Sequence, residues 1–71
     1  MRWVTIYRLN DPIKAEVIRN ALEAQGLRCF LDGINQAAHP GLSAFEIRVQ
    51  VHEQDKARAQ QFLESHDEGW A

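Results

Sequence analysis

The sequence predicts a small α+β domain of order β-α-β-β-α. Three observations point there. Trp3–Leu9 alternates in character, is rich in β-branched and aromatic residues, and runs into a helix start at Asn10-Asp11-Pro12. A helical apolar stripe follows and stops at Gly26. A second alternation, Phe45, Ile47, Val49 and Val51 against Glu46, Arg48 and Gln50, then leads into another amphipathic segment.

The first strand is expected at Trp3–Leu9, with Val4 and Ile6 on one face and Trp3, Thr5 and Tyr7 on the other. Asp11 is placed to accept the free amide hydrogens of a helix start, and Pro12 fits the first helical position, where an N–H is not needed. The first helix then covers Ile13–Gln25, with Ile13, Val17, Ile18, Ala21 and Leu22 as its apolar stripe. Gly26 ends it, since the position after a helix commonly takes the left-handed conformation that glycine adopts at little cost.

Leu27–Asp32 reads as a second strand, with Leu27, Cys29 and Leu31 on one face and Arg28, Phe30 and Asp32 on the other. Gly33–Ser43, about eleven residues holding Gly33, Asn35, Pro40 and Gly41, reads as a loop. Ala44–Val51 is the third strand. Glu53–Ser65 is the second helix, acidic at its start as the helix dipole favours, with a thin stripe of Ala59, Phe62 and Leu63. One domain over residues 1–66 is expected, with 67–71 a disordered tail. Trp70 is expected to share that disorder rather than fold back as an edge strand.

Two strands joined by a helix run parallel, which leaves room for the third between them and antiparallel to both. The result is a ferredoxin-like arrangement with its last strand missing or vestigial and both helices on one face of a three-stranded sheet; another strand order stays open. The opposite face is then bare. It is expected to carry Trp3, Thr5, Tyr7, Arg28, Phe30, Asp32, Glu46, Arg48 and Gln50. Trp, Tyr, Phe and Arg are the residue types enriched at protein interfaces, so Trp3, Thr5, Tyr7, Arg28, Phe30 and Arg48 are the candidate partner-binding residues.

Composition narrows the chemistry. Seventy-one residues with one cysteine, Cys29, allow no intrachain disulfide, so a core this small must rely on packing or self-association. A homodimer is one of the two outcomes that size alone leaves open. The formal charge of −2 argues against binding driven by phosphate neutralisation, so nucleic acid is not expected. No apolar run approaches membrane-spanning length, and the N-terminal apolar stretch is too short for a signal-peptide core; no membrane role and a cytoplasmic setting are expected.

The order of elements and several local motifs resemble a known family. These are the strand entering Asn10-Asp11-Pro12, the helix from Ala15 to Gly26-Leu27, and the strand entering Val51-His52-Glu53-Gln54-Asp55-Lys56-Ala57-Arg58-Ala59 with Phe62-Leu63 after it. The chain resembles, up to about Leu63, the small bacterial domains called putative prokaryotic signal-transducing proteins. The resemblance implies a signalling role. It brings no catalytic or ligand residues to carry over.

Catalytic and cofactor chemistries find little support. Cys29, His39, His52 and His66 stand at no HxxxH, CxxC or HExxH spacing, so no metal is expected. Cys29 reads as an inert thiol facing the core. Ser43 and Ser65 lie in no nucleophile pattern, and the four glycines make no phosphate-binding motif, so neither an enzyme nor a cofactor is expected. The expectation is a non-catalytic binding or regulatory module, acting through an unknown protein partner or self-association. The alternatives are a small-ligand sensor with the 33–43 loop as lid and, after it, single-strand nucleic-acid binding on the sheet aromatics.

Overall fold

β3 (Ile47–His52) is the centre of the sheet, with β1 (Trp3–Leu9) and β2 (Cys29–Asp32) antiparallel to it on either side. The computed structural model describes residues 2–34 and 46–66. α1 (Pro12–Ala24) connects β1 to β2, and α2 (Lys56–Ser65) follows β3 after a 3-10 turn at Glu53–Asp55. The β-α-β-β-α order and the β1-β3-β2 strand order agree with the sequence expectation. Among the described residues no helix is long and apolar enough to cross a membrane.

Alternation along β3 sends Ile47, Val49 and Val51 to one face, where all three are fully buried. Ala15, Ile18 and Leu22 of α1 and Ala59 and Leu63 of α2 close over them, joined by Leu27 and Leu31. α1 lies over β2 and β3, and α2 over β1 and β3. Burying each large aliphatic side chain contributes about 1.5–3 kcal/mol, so these few residues dominate a core this small.

The ends of α1 follow from local chemistry. The Asp11 carboxylate accepts hydrogen bonds from the amides of Ile13 at 3.0 Å and Lys14 at 3.3 Å, with Pro12 at the first helical position. At the far end Gly26 takes φ +83°, its amide donates to the Glu23 carbonyl at 2.9 Å, and the Leu27 amide donates to Leu22 at 3.2 Å. That pair of bonds is a Schellman stop, sealed by the buried side chains of Leu22 and Leu27.

Several expectations are corrected. Ile13 and Val17 are 77% and 49% exposed, whereas Ala15 is buried, so the buried stripe of α1 is Ala15-Ile18-Leu22. Ile18 and Leu22 are buried as expected, and Ala15, rather than Ile13 or Val17, completes the stripe. β2 begins at Cys29 rather than Leu27, and β3 runs on to His52. Glu53–Asp55 forms a 3-10 turn, not the first turn of the α-helix.

The largest correction lies in β1. Thr5 pairs with Gln50 but Tyr7 pairs with Val49, so a bulge at this step inserts one residue and reverses the alternation. Tyr7 and Leu9 therefore pack against the core, and Arg8 takes the bare face. The placement of Tyr7 beside Trp3 and Thr5 is overturned. Most of the expected 33–43 loop, Ala44 and Phe45 at the start of the expected third strand, and the 67–71 tail with Trp70 lie outside the described residues.

Candidate functional site

The face of the sheet away from the helices is organised in rows set by strand register. In the row nearest the start of β1, Trp3 stands opposite His52. In the next, Thr5, Gln50 and Phe30 lie side by side, and in the third Arg8, Arg48 and Asp32 do so. Each row has its own chemistry.

The third row is a charge ladder. Arg8 and Arg48 are directly opposite, a pairing that destabilises a sheet unless each finds a counter-charge. Each does. The Arg48 Nε donates to Asp32 Oδ2 at 2.9 Å, and its Nη2 approaches the same oxygen. That hydrogen bond and the Asp32 charge push the Arg48 guanidinium further above its ordinary range. Arg8 pairs with Glu46 at 3.1 Å. In the middle row the Gln50 amide donates to the Thr5 hydroxyl at 3.1 Å, next to Phe30, which is 50% exposed.

The first row is aromatic. The Trp3 and His52 rings meet edge-on with centroids 4.3 Å apart, and Trp3 and Phe30 are 5.9 Å apart at a tilt of 48°. His52 is buried, while Trp3 keeps 41% of its surface exposed. Beside this cluster a cleft of about 380 Å³ is lined by Gly26, Arg28, His52, Gln54 and Asp55. Arg28 is one residue before the Cys29–Val51 pair, which brings it level with His52.

The structure thus brings Trp3, Thr5, Arg28, Phe30 and Arg48 to one face or its rim and takes Tyr7 away. Sequence reasoning missed His52. The even positions Glu46, Arg48 and Gln50 already marked the bare face, and continuing β3 by one residue would have added it. It also missed Asp55, which becomes part of the cleft wall only because the chain turns through the 3-10 segment.

Cys29, half-buried on the core side of β2, is set apart from this face. Burial, reinforced by the Glu23 charge and opposed by Arg19, pushes its thiol up to about 11 from an ordinary 9.0. Such a thiol is protonated and weakly nucleophilic at neutral pH. Among the described residues no three His, Cys, Asp or Glu side chains are grouped so as to hold a metal ion.

A family model described as "Putative prokaryotic signal transducing protein" matches residues 3–67. No curated protein and no solved structure matches the chain.

Proposed function

Since the chain belongs to the family of putative prokaryotic signal transducing proteins, we propose that it is a non-catalytic binding and regulatory module. Its working surface is the open sheet face, and it acts there by association with protein, including further copies of itself. The observation that supports this most is the Trp3–His52–Phe30 cluster. It leaves two large aromatic rings 41% and 50% exposed on a face that neither helix covers.

Rings held in place by neighbours lose little freedom on binding, which is why exposed, pre-packed aromatics make effective anchors. The ladder beside them is internally paired, so the Arg8, Arg48, Asp32 and Glu46 charges present a nearly neutral rim. A neutral rim suits protein contact better than phosphate contact, which needs uncompensated cations. Catalysis has no support in this arrangement. The thiol of Cys29 is on the other face, and the cleft pairs no nucleophile with a base. With one half-buried cysteine and no disulfide, the module suits a cytoplasmic setting.

Light scattering on the wild type, Trp3→Glu and Phe30→Glu across a concentration series tests the reading. The wild type should exceed its 8.2 kDa monomer mass, and both variants should fall to it while keeping their circular dichroism. A wild type that stays monomeric at millimolar concentration would remove self-association from the proposal.

A further inference from the structure

The chain has six arginines, and five are engaged. Arg2 pairs with Glu53, Arg8 with Glu46, Arg19 with Glu16 and Arg48 with Asp32, and Arg58 donates to the Gln25 carbonyl. Arg28 is the exception. Among the described residues its exposed guanidinium makes neither a hydrogen bond nor an ion pair.

Asp55 is its counterpart. It holds the N-cap position of α2, yet its carboxylate makes no capping hydrogen bond there, and no ion pair joins it among the described residues. Arg28 and Asp55 line one cleft without closing on each other, and His52, the buried ring of the aromatic cluster, lines the same cleft. An unsatisfied cation and an unsatisfied anion therefore share one cleft at the rim of the open face, which His52 joins to Trp3 and its neighbour Phe30.

We infer that a second copy of this chain docks on that rim about a two-fold axis, setting each Arg28 against the partner subunit's Asp55 and covering the Trp3–Phe30 pair. A two-fold interface must be self-complementary, with each member of a contact meeting its opposite number twice. A patch holding one free charge of each sign meets that condition; a patch of single sign would repel its own copy. With a net charge of −2 the molecule as a whole selects neither strongly acidic nor strongly basic partners, so local complementarity decides. The aromatic rings supply the buried area, and the reciprocal ion pairs fix register and exclude other alignments. The inference rests on the proposed association through the open face.

Charge reversal separates the two. In Arg28→Glu, each reversed residue 28 meets the partner subunit's Asp55; in Asp55→Arg, two arginines meet at each contact. Each variant alone should raise the dimer dissociation constant at least about tenfold, since like charges in contact are strongly unfavourable. Mixed in equal amounts, they form a heterodimer in which both contacts again pair opposite charges, so sedimentation equilibrium should show near wild-type association. Arg28→Gln and Asp55→Asn place no cation at the start of α2, and their effects on dimerisation should be less than additive when combined. Single variants that associate like the wild type, while Trp3→Glu is monomeric, would overturn the register and leave the face intact. A mixture no tighter than its components would overturn the reciprocal pairing. If neither the charge variants nor Trp3→Glu changes association, the face itself is the wrong surface.

Discussion

The Trp3 indole stands edge-on to the His52 imidazole, centroids 4.3 Å apart with the planes at 71°, and so holds an exposed residue on β1 against a buried one at the end of β3. Edge-to-face aromatic pairs contribute about 0.5–1.5 kcal/mol beyond the area they bury. A double-mutant cycle of Trp3→Ala and His52→Ala by urea unfolding, at concentrations that keep the chain monomeric, should give a coupling in that range. Additive losses would mean that the two rings are merely neighbours.

The bulge in β1 makes opposite predictions for adjacent residues. Tyr7 packs on the core side, so Tyr7→Glu should cost about 2 kcal/mol or more by placing a charge against apolar neighbours. Arg8 is exposed, and Arg8→Ala should stay within about 0.5 kcal/mol of wild type. A stable Tyr7→Glu that loses association would return Tyr7 to the open face.

The phase of α1 is tested in the same way. Leu22→Ala opens a cavity in a fully buried position and should cost about 2–5 kcal/mol, whereas Ile13→Ala, at a site 77% exposed, should shift stability by no more than about 0.5 kcal/mol. Equal losses at the two positions would place Ile13 in the core.

Two glycines with positive φ should differ in tolerance. At Gly26, φ +83°, an added Cβ meets nothing within 4 Å, so alanine costs only its left-handed backbone, about 1–2 kcal/mol. At Gly33, φ +89°, the Cβ would lie 2.5 Å from the Glu46 carbonyl oxygen, which is backbone and cannot swing aside. Gly33→Ala should therefore lower the urea midpoint clearly more than Gly26→Ala. The reverse order would show that the chain at Gly33 yields freely.

Cys29 should be slow towards thiol reagents. With its thiol near 11, the thiolate fraction at pH 8 is about one in a thousand, against about one in ten for an ordinary thiol, so alkylation of the folded chain should run about a hundredfold below that in urea. The folded pKa is raised, so the stability held by the neutral thiol is complete below pH 9 and is lost as pH rises towards 11. Unfolding midpoints across that interval should fall for the wild type and fall less for Cys29→Ala. Equal alkylation rates folded and unfolded would contradict the burial.

Much of the fold was written locally. Asp11-Pro12 and Gly26 set both ends of α1 because capping needs only residues within one turn. The alternation of Ile47, Val49 and Val51 put one face of β3 in the core, since a period of two admits no other reading. From those elements the order β-α-β-β-α and the bare face followed, and with the face came Trp3, Thr5, Phe30, Arg28 and Arg48.

Tertiary structure decided what period and propensity leave degenerate. Ile18 and Leu22 were legible in the helical repeat, but Ile13 and Val17 satisfy it too, and only the sheet beneath α1 leaves those two exposed and buries Ala15. The bulge between Thr5 and Tyr7 has no residue signature, because it arises when Leu9 is brought level with Ile47 across the sheet, and one inserted residue then moves Tyr7 to the core. The corner where Arg28, His52 and Asp55 meet has the same origin. Arg28 is far in the chain from His52 and Asp55, and it is the pairing of β2 with β3, a long-range contact, that brings it to the rim they form.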